Sequence, residues 1–191
     1  MQITIRPATL DDVAALQDLI ARSVRILQAG YYTTAQMEGA LGTVFGVDTQ
    51  LIRDGTYFAA NVGSVIAGCG GWSRRKTLFG SDHVSGKDDS WLDPAREAAR
   101  IRAFFVRPGW ERKGIGSRIL EACESAAMAR GFSRLELAAT LSGVAMYAAR
   151  GFSPGETFDV PLANGLSLPV MRMFKSIGQA RPSNASISSG V

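Results

Sequence analysis

Residues 106–117 of the chain read VRPGWERKGIGS, which predicts a strand that ends in a turn and continues as a helix. The first amides of a helix have no partner within it, and together they carry about half a positive charge. Gly114 and Gly116 remove side chains that would obstruct a ligand there, while Arg112 and Lys113 add positive charge. The stretch therefore predicts a site for a polyanion such as a pyrophosphate.

Two common nucleotide-binding patterns do not fit this stretch. The Walker A pattern requires a Gly-Lys-Ser/Thr ending, which is missing here. The dinucleotide-binding pattern requires a third glycine where this chain has Ile119. A purely structural interpretation stays open, in which the glycines only allow tight packing at the start of the helix.

The same stretch resembles the acetyl-CoA-binding core of the GNAT superfamily, which reads Val-x-Pro-x-x-Gln/Arg-x-x-Gly-x-Gly/Ala and opens a helix. Val106, Pro108, Gly114 and Gly116 match that pattern. Glu111 occupies the usual Gln/Arg position and is a departure from it. Since the family holds the pyrophosphate mainly through backbone amides, the resemblance implies that binding survives this change.

A second block, residues 135–152, also resembles the family, whose strand and helix at this point end in Tyr-x-x-x-Gly-Phe. Residues 147–152 match this ending, whereas Thr140 and Gly143 stand where the family often has Asn and Ala. The resemblance covers the element order of the whole domain, and residues 101–152 in motif detail. It implies an N-acetyltransferase with acetyl-CoA as cosubstrate and no metal.

The resemblance implies an α/β fold of the GNAT acyl-CoA N-acyltransferase type. Its central sheet is expected to be mixed, largely antiparallel and twisted, with about seven strands flanked by about four helices. The 191 residues, 46% hydrophobic and 20% charged, suit a single globular domain. We expect this domain over residues 1–177 and a weakly ordered tail over 178–191, where Ser, Ala, Asn and Gly predominate.

The resemblance also implies where acetyl-CoA binds. The strand that ends at Val106 would splay from its neighbour and pair with the pantetheine arm, and a backbone amide near Phe104 or Phe105 would polarise the thioester carbonyl. The amides of residues 112–117, helped by Arg118, would hold the pyrophosphate. The predicted cosubstrate contacts are Phe104, Phe105, Val106, Glu111, Arg112, Lys113, Gly114, Ile115, Gly116, Ser117, Arg118 and Thr140.

The implied reaction is a direct attack of an amine on the thioester, without an acyl-enzyme. Tyr147 is the predicted general acid for the departing thiolate, and the alternative is a core tyrosine with a bonded hydroxyl. A base or a desolvated site is needed, because an amine with a pKa near about 10.4 is mostly protonated at neutral pH. Glu97 and His83 are the candidate bases; Glu136 is expected to be an exposed strand residue instead.

The acceptor is expected across the sheet, between the first two helices and the long polar segment of residues 74–97. We expect an amine of a small molecule or peptide there and cannot name it from the sequence. The candidate lining aromatics, some of which are expected in the core, are Tyr31, Tyr32, Tyr57, Trp72 and Trp91.

The strand predicted over residues 65–72 carries Gly68, Gly70 and Gly71. Glycine weakens a strand unless another group must approach its backbone closely. We therefore expect close packing against this strand.

Charge and cysteine content bear on the partners. The net charge of +4 includes no long run of like charges, so nucleic acid is not an expected partner. Cys69 and Cys123 lie in apolar stretches and are expected to be buried thiols of a cytoplasmic protein. No membrane contact is expected, and a homodimer stays open.

Two other functions also stay open: a regulatory module that binds acyl-CoA without turnover, and acetylation of a macromolecule such as a protein or charged tRNA.

Overall fold

The computed structural model describes residues 1–83 and 88–178. Within these residues the chain forms seven strands, five α-helices and a short 3-10 turn at Leu10–Asp12. The elements in chain order are β1 (Thr4–Pro7), α1 (Val13–Leu27), α2 (Thr34–Ala40), α3 (Thr49–Arg53), β2 (Tyr57–Val62), β3 (Val65–Ser73), β4 (Ala99–Val106), α4 (Ile115–Ala129), β5 (Arg134–Thr140), α5 (Val144–Ala149), β6 (Ser153–Pro161) and β7 (Ser167–Ser176).

All seven strands belong to one sheet, in the order β1-β2-β3-β4-β5-β7-β6. Neighbouring strands are antiparallel except β4 and β5, which run parallel. The expected mixed, largely antiparallel sheet is therefore confirmed. The described residues hold five helices where about four were expected, because the short α3 is a helix in its own right.

The sheet separates two hydrophobic clusters. Helix α1 covers one face, where Leu16 and Leu19 are fully buried. Helix α4 covers the other face, where Ile119 and Cys123 are fully buried. Cys123 and Cys69 are both buried free thiols, as the sequence predicted.

The glycines of β3 mark places where other groups approach its backbone. A Cβ at Gly68 would lie 2.6 Å from the Cγ2 of Ile115, at the start of α4. A Cβ at Gly70 would lie 2.6 Å from the ring of Phe104 on the neighbouring strand. The expected close packing is confirmed, and it brings α4 and β4 together where the site is formed.

Two expectations fall partly outside this description. Residues 84–87 of the long polar segment and residues 179–191 of the predicted tail lie outside the described residues. Across residues 1–83 and 88–178, no helix combines the length and the apolar character that crossing a membrane requires.

Candidate active site

A cleft opens where β4 and β5 separate. The two strands pair only at Ala99 with Leu135 and at Arg100 with Glu136, as far as the described residues show. Beyond these pairs they diverge, as the family resemblance implied, and a cavity of about 690 Å³ lies between them and continues toward α1. The backbone edge of β4 from about residue 101 onward therefore faces the cleft rather than a neighbouring strand.

A β-bulge distorts β4 at this point. Gly71 pairs with Arg102 and Cys69 with Phe105, so that Gly70 alone opposes two residues of β4. One of these is Ala103, whose φ of 55° is unfavourable for a residue with a side chain. The Tyr57 hydroxyl donates a 3.0 Å hydrogen bond to the Ala103 carbonyl and so holds the bulge in place.

The bulge makes the two candidate oxyanion amides unequal. Burial raises the pKa of the Cys69 thiol, on the strand next to β4, to about 12. The Arg107 amide donates a 2.9 Å hydrogen bond to the Ala67 carbonyl on β3, so the Phe105 amide, two residues earlier in the strand, also faces β3. Phe104 is therefore the better amide for a thioester carbonyl. Cys69 itself stays a protonated thiol and a poor nucleophile at neutral pH.

The start of α4 presents free amides to the cleft. Gly114 caps the helix in the left-handed conformation with a φ of 82°, and the first helical hydrogen bond runs 3.0 Å from Arg118 N to Gly114 O. The amides of Ile115, Gly116 and Ser117 therefore have no partner inside the helix. A Cβ at Gly116 would meet nothing closer than the Cε of Met146, at 3.8 Å. This cradle of amides suits a diphosphate.

Most of the predicted cosubstrate contacts line this one cleft, but Lys113 and Arg118 do not. The Lys113 ammonium donates a 2.8 Å hydrogen bond to the Gly109 carbonyl and lies over the Trp110 ring, so it closes the turn instead. The predicted residues that line the cleft are Phe104, Phe105, Val106, Glu111, Arg112, Gly114, Ile115, Gly116, Ser117 and Thr140.

Glu111, the departure from the family pattern, has a local role. Its carboxylate accepts a 3.0 Å hydrogen bond from the Gly109 amide and thereby stabilises the turn before α4. The Glu111 carboxylate is therefore bound within its own loop. This contact reduces the repulsion that its negative charge would exert on an anion bound at the start of α4.

Arg150 lines the cleft and was missed from the sequence. Its guanidinium hydrogen-bonds to the Ser117 hydroxyl in the first turn of α4 and lies 3.6 Å from the Glu121 carboxylate. A cation therefore sits beside the open amides. The one available signal was its place between Tyr147 and Gly151 in the second motif block.

Tyr147 lies in the wall of the cleft and is largely buried. Its ring packs edge-on against Phe104, with centroids 6.1 Å apart, and against Phe152, with centroids 5.5 Å apart. Burial raises the pKa of the Tyr147 phenol well above its ordinary value. The side chain is therefore a neutral hydrogen-bond donor at any physiological pH.

The structure does not bring the two candidate bases to this cleft. The Glu97 carboxylate accepts a 2.7 Å hydrogen bond from the Asp93 amide and lines a separate pocket at the far end of β4. His83 is exposed and is not among the residues that line the cleft. A general base at Glu97 or His83 would therefore have to act from outside the cleft.

The expectation for Glu136 was wrong, because its side chain is buried rather than exposed. It forms ion pairs with Arg100 on β4 and, at 3.5 Å, with Arg172 on β7.

Over residues 1–83 and 88–178, no group of three or more His, Cys, Asp or Glu side chains is arranged to hold a metal ion.

Of the aromatic residues expected around the acceptor, Tyr31 alone lines the cleft. Tyr32, Tyr57 and Trp72 are core residues, and Trp91 is exposed, with the guanidiniums of Arg74 and Arg75 stacked 4.0 Å and 4.1 Å from its ring centroid. The acceptor half of the cleft, by which we mean the part toward α1, is lined instead by Ser23, Leu27, Gln28, Val44, Phe45, Phe79, Arg102, Val160 and Val170.

Gly70→Ala is expected to damage the site through Phe104. The added methyl would lie 2.6 Å from the Phe104 ring, which must then shift and disturb its edge-on contact with Tyr147. We expect the free energy of unfolding to fall by about 1–3 kcal/mol, as for other overpacked cores. Urea unfolding measures this loss, and CoA release from acetyl-CoA in the presence of an amine should slow in parallel.

Gly30→Ala is the matched control for that substitution. A Cβ at Gly30 would meet nothing within 4 Å, so stability and rate should both stay near those of the parent. A Gly70→Ala protein as stable and as active as the parent would contradict the packing described for Phe104.

Comparison with solved structures supports the fold. A GCN5-related N-acetyltransferase from Rhodopseudomonas palustris is 21% identical and superimposes with a TM-score of 0.69, over 93% of this chain and 97% of that one. PaiA N-acetyltransferase from Thermoplasma acidophilum, solved with coenzyme A, is 15% identical with a TM-score of 0.64, over 92% and 99%. The ribosomal-protein-S18-alanine N-acetyltransferase from Escherichia coli is 16% identical with a TM-score of 0.57, over 96% and 98%.

Sequence comparison establishes the family. No curated protein matches the chain at a significant level. The family model for the acetyltransferase (GNAT) family, however, matches residues 24–152, which include the split strands, the amides at the start of α4 and Tyr147. This chain therefore belongs to the GNAT family of acetyltransferases.

Proposed function

We propose that the chain transfers the acetyl group of acetyl-CoA directly to a primary amine of a small molecule or peptide. The observation that carries this proposal is a single cleft that holds the open amides of α4, the free edge of β4 and the phenol of Tyr147. A module that only bound acyl-CoA would need the first two of these features and would have no use for a tyrosine phenol in the wall of the cleft.

The diphosphate of acetyl-CoA is assigned to the amides of Ile115, Gly116 and Ser117. Arg150 and Arg112 supply positive charge beside them, and both line the cleft. The pantetheine arm then extends along the free edge of β4. This direction brings the thioester to Phe104 and Tyr147, whose rings are in contact.

In the proposed reaction the amine nitrogen attacks the thioester carbonyl and the carbon–sulfur bond breaks. The proton that the amine loses is taken up by the departing thiolate, so the products are the acetylated amine and CoA thiol. The Phe104 amide stabilises the charge that develops on the carbonyl oxygen. The Tyr147 hydroxyl donates a hydrogen bond to the leaving sulfur. Because the pKa of this phenol is raised above that of an ordinary thiol, it stabilises the thiolate without having to ionise itself.

The acceptor amine is proposed to arrive neutral, since the acceptor half carries no free carboxylate. All Asp and Glu residues of the chain fall within residues 1–83 and 88–178. Among them, only Glu111 lines the cleft, and it is bound to Gly109 in the turn before α4. Burial among apolar side chains favours the uncharged form of an amine.

The rate should therefore follow the fraction of free amine. For an acceptor with a pKa near about 10, kcat/KM is expected to rise about tenfold per pH unit between about pH 7 and 9. Tyr147 adds no falling limb in this range, because its raised pKa keeps it protonated. Initial rates measured over this range with an acceptor of that pKa test the expectation, and a plateau that sets in well below the pKa of the acceptor used would instead reveal a base on the protein.

The reaction itself is tested by release of CoA thiol from acetyl-CoA with panels of amino acids, peptides, polyamines and aminoglycosides. We expect thiol release that depends on one class of amine, with an acetylated product identified by mass spectrometry. A chain that binds acetyl-CoA tightly but releases no thiol with any class of amine would be a regulatory module instead.

A macromolecular acceptor is the second proposal. Its support is the fold likeness to the Escherichia coli enzyme named for the alanine of ribosomal protein S18. An RNA-borne acceptor would be recognised by a steep loss of affinity with salt. The cytoplasmic location and the homodimer stay predictions.

A further inference from the structure

Two buried polar atoms in the acceptor half of the cleft have no hydrogen-bond partner among the described residues. They are Oε1 of Gln28 and Nε of Arg102. Each residue is only 5% exposed, and both line the cleft. Because buried polar groups are nearly always hydrogen-bonded in native proteins, orphaned atoms in a substrate cleft point to a ligand as their partner.

The backbone of Gln28 is fixed by hydrogen bonds at the end of α1. Its amide donates to the Val24 carbonyl at 3.2 Å, and its carbonyl accepts from the amides of Tyr31 and Tyr32 at 2.9 Å and 3.1 Å. These bonds end α1 at the wall of the cleft. The orphaned side-chain oxygen can only accept a hydrogen bond, so it suits an N–H of the ligand.

The Arg102 side chain is held firmly from one side. Its Nη2 lies 2.8 Å from the Asp48 carboxylate and donates a 2.7 Å hydrogen bond to the Gly80 carbonyl. Since Asp48 already balances its charge, the remaining Nε–H does not require an anion. A neutral carbonyl oxygen is a sufficient partner for it.

Most of the other side chains that line the acceptor half are apolar. Leu27, Phe45 and Phe79 line it, together with Val44 and Val160. A polyamine or aminoglycoside would bury several ammonium groups here without a carboxylate to pair with them, which is costly. An apolar side chain would instead gain from burial against these walls.

We propose that the acceptor is an α-amino amide with an apolar side chain, as found in an amino-acid amide or in the first residue of a peptide. Its carbonyl oxygen accepts from Arg102 Nε, its amide N–H donates to Gln28 Oε1, and its side chain packs against Phe45 and Phe79. Its primary amine is the group that is acetylated, so this inference rests on the proposed function.

The test is calorimetric titration of the protein saturated with CoA, so that binding is measured without turnover. The ligands are L-phenylalaninamide, L-phenylalanine methyl ester and spermidine. The ester keeps the carbonyl and the side chain but lacks the amide N–H. We expect the amide to bind about three- to tenfold more tightly than the ester, as one neutral hydrogen bond allows, and spermidine to bind far more weakly than either.

Gln28→Leu is the informative variant. The preference for the amide over the ester should disappear in it. Its Tm should rise by about 2–4 °C, because an unsatisfied buried acceptor is removed. Gln17→Leu, at an exposed position of the same helix, is the matched control and should change neither quantity.

The outcomes separate this inference from the proposed function. Equal binding of amide and ester by the parent, a preference that survives Gln28→Leu, or tight binding of spermidine would each overturn it. Preferential amide binding without thiol release from acetyl-CoA would support the α-amino amide as the ligand of this half of the cleft and overturn the proposed transfer to its amine. A tripeptide amide that begins with phenylalanine distinguishes the sources: tighter binding than L-phenylalaninamide indicates a peptide N-terminus, and equal binding indicates a free amino-acid amide.

Discussion

Gly116→Glu is expected to weaken the binding of acetyl-CoA by about 100-fold or more while the chain stays folded. The new carboxylate would stand at the second position of α4, where the amides of Ile115 and Ser117 are open to the cleft. It would occupy the place of the diphosphate and repel it. Loss of about two charge-assisted hydrogen bonds, each worth about 1.5–3 kcal/mol, is enough for this effect.

The same substitution should not harm the fold. A Cβ at residue 116 would have 3.8 Å to its nearest neighbour, and an acidic side chain in the first turn of a helix is favoured by the helix dipole. The Tm of the variant should therefore equal or exceed that of the parent. Gly114 is a poorer choice, because its φ of 82° would strain any side chain placed there.

Calorimetry with acetyl-CoA and thermal unfolding together test this prediction. Gly116→Gln is the matched control, since it adds nearly the same volume without the charge and should lose less affinity. A folded Gly116→Glu protein that holds acetyl-CoA as tightly as the parent would contradict the placement of the diphosphate, and with it the whole orientation of the cosubstrate.

The geometry of the proposed cosubstrate half could be predicted because it is local in the sequence. The strand, turn and helix start all fall within residues 106–117, and the glycines that open the helix amides are visible in the sequence itself. Short-range geometry fixes such a unit, since helix amides are free wherever a helix begins. The Lys113 side chain, by contrast, folds back onto the turn and binds the Gly109 carbonyl. This contact could not be predicted from the sequence motif.

The acceptor half could not be predicted, because it is assembled from distant segments. Gln28 ends α1, Arg102 lies on β4, and Phe79 belongs to the long connection before that strand. That Gln28 and Arg102 each keep one polar atom without a partner follows only from three-dimensional packing. The same reason explains the error at Glu136, whose arginine partners come from two neighbouring strands.

Tyr147→Phe is expected to lower kcat by about 100-fold or more and to leave the affinity for acetyl-CoA nearly unchanged. The change removes only the hydroxyl, while the ring keeps its edge-on contacts with Phe104 and Phe152. The proposed diphosphate site lies at the start of α4 and is not changed by this substitution. If the hydroxyl stabilises the leaving thiolate, its loss acts on the transition state and not on the bound ground state. Steady-state rates and calorimetric titration with acetyl-CoA measure the two effects separately.

Tyr31→Phe is the control, because Tyr31 is the other tyrosine that lines the cleft and lies at its acceptor end. It should leave kcat close to that of the parent, which excludes a general effect of removing a phenol from the cleft. A Tyr147→Phe enzyme with full kcat would mean that the sulfur leaves without help from this residue. The burial that raises the pKa of the Tyr147 phenol would then serve packing alone. Since Tyr147 is the feature that separates an enzyme from a module that only binds acyl-CoA, this result would also remove the main structural support for catalysis at the strand edge.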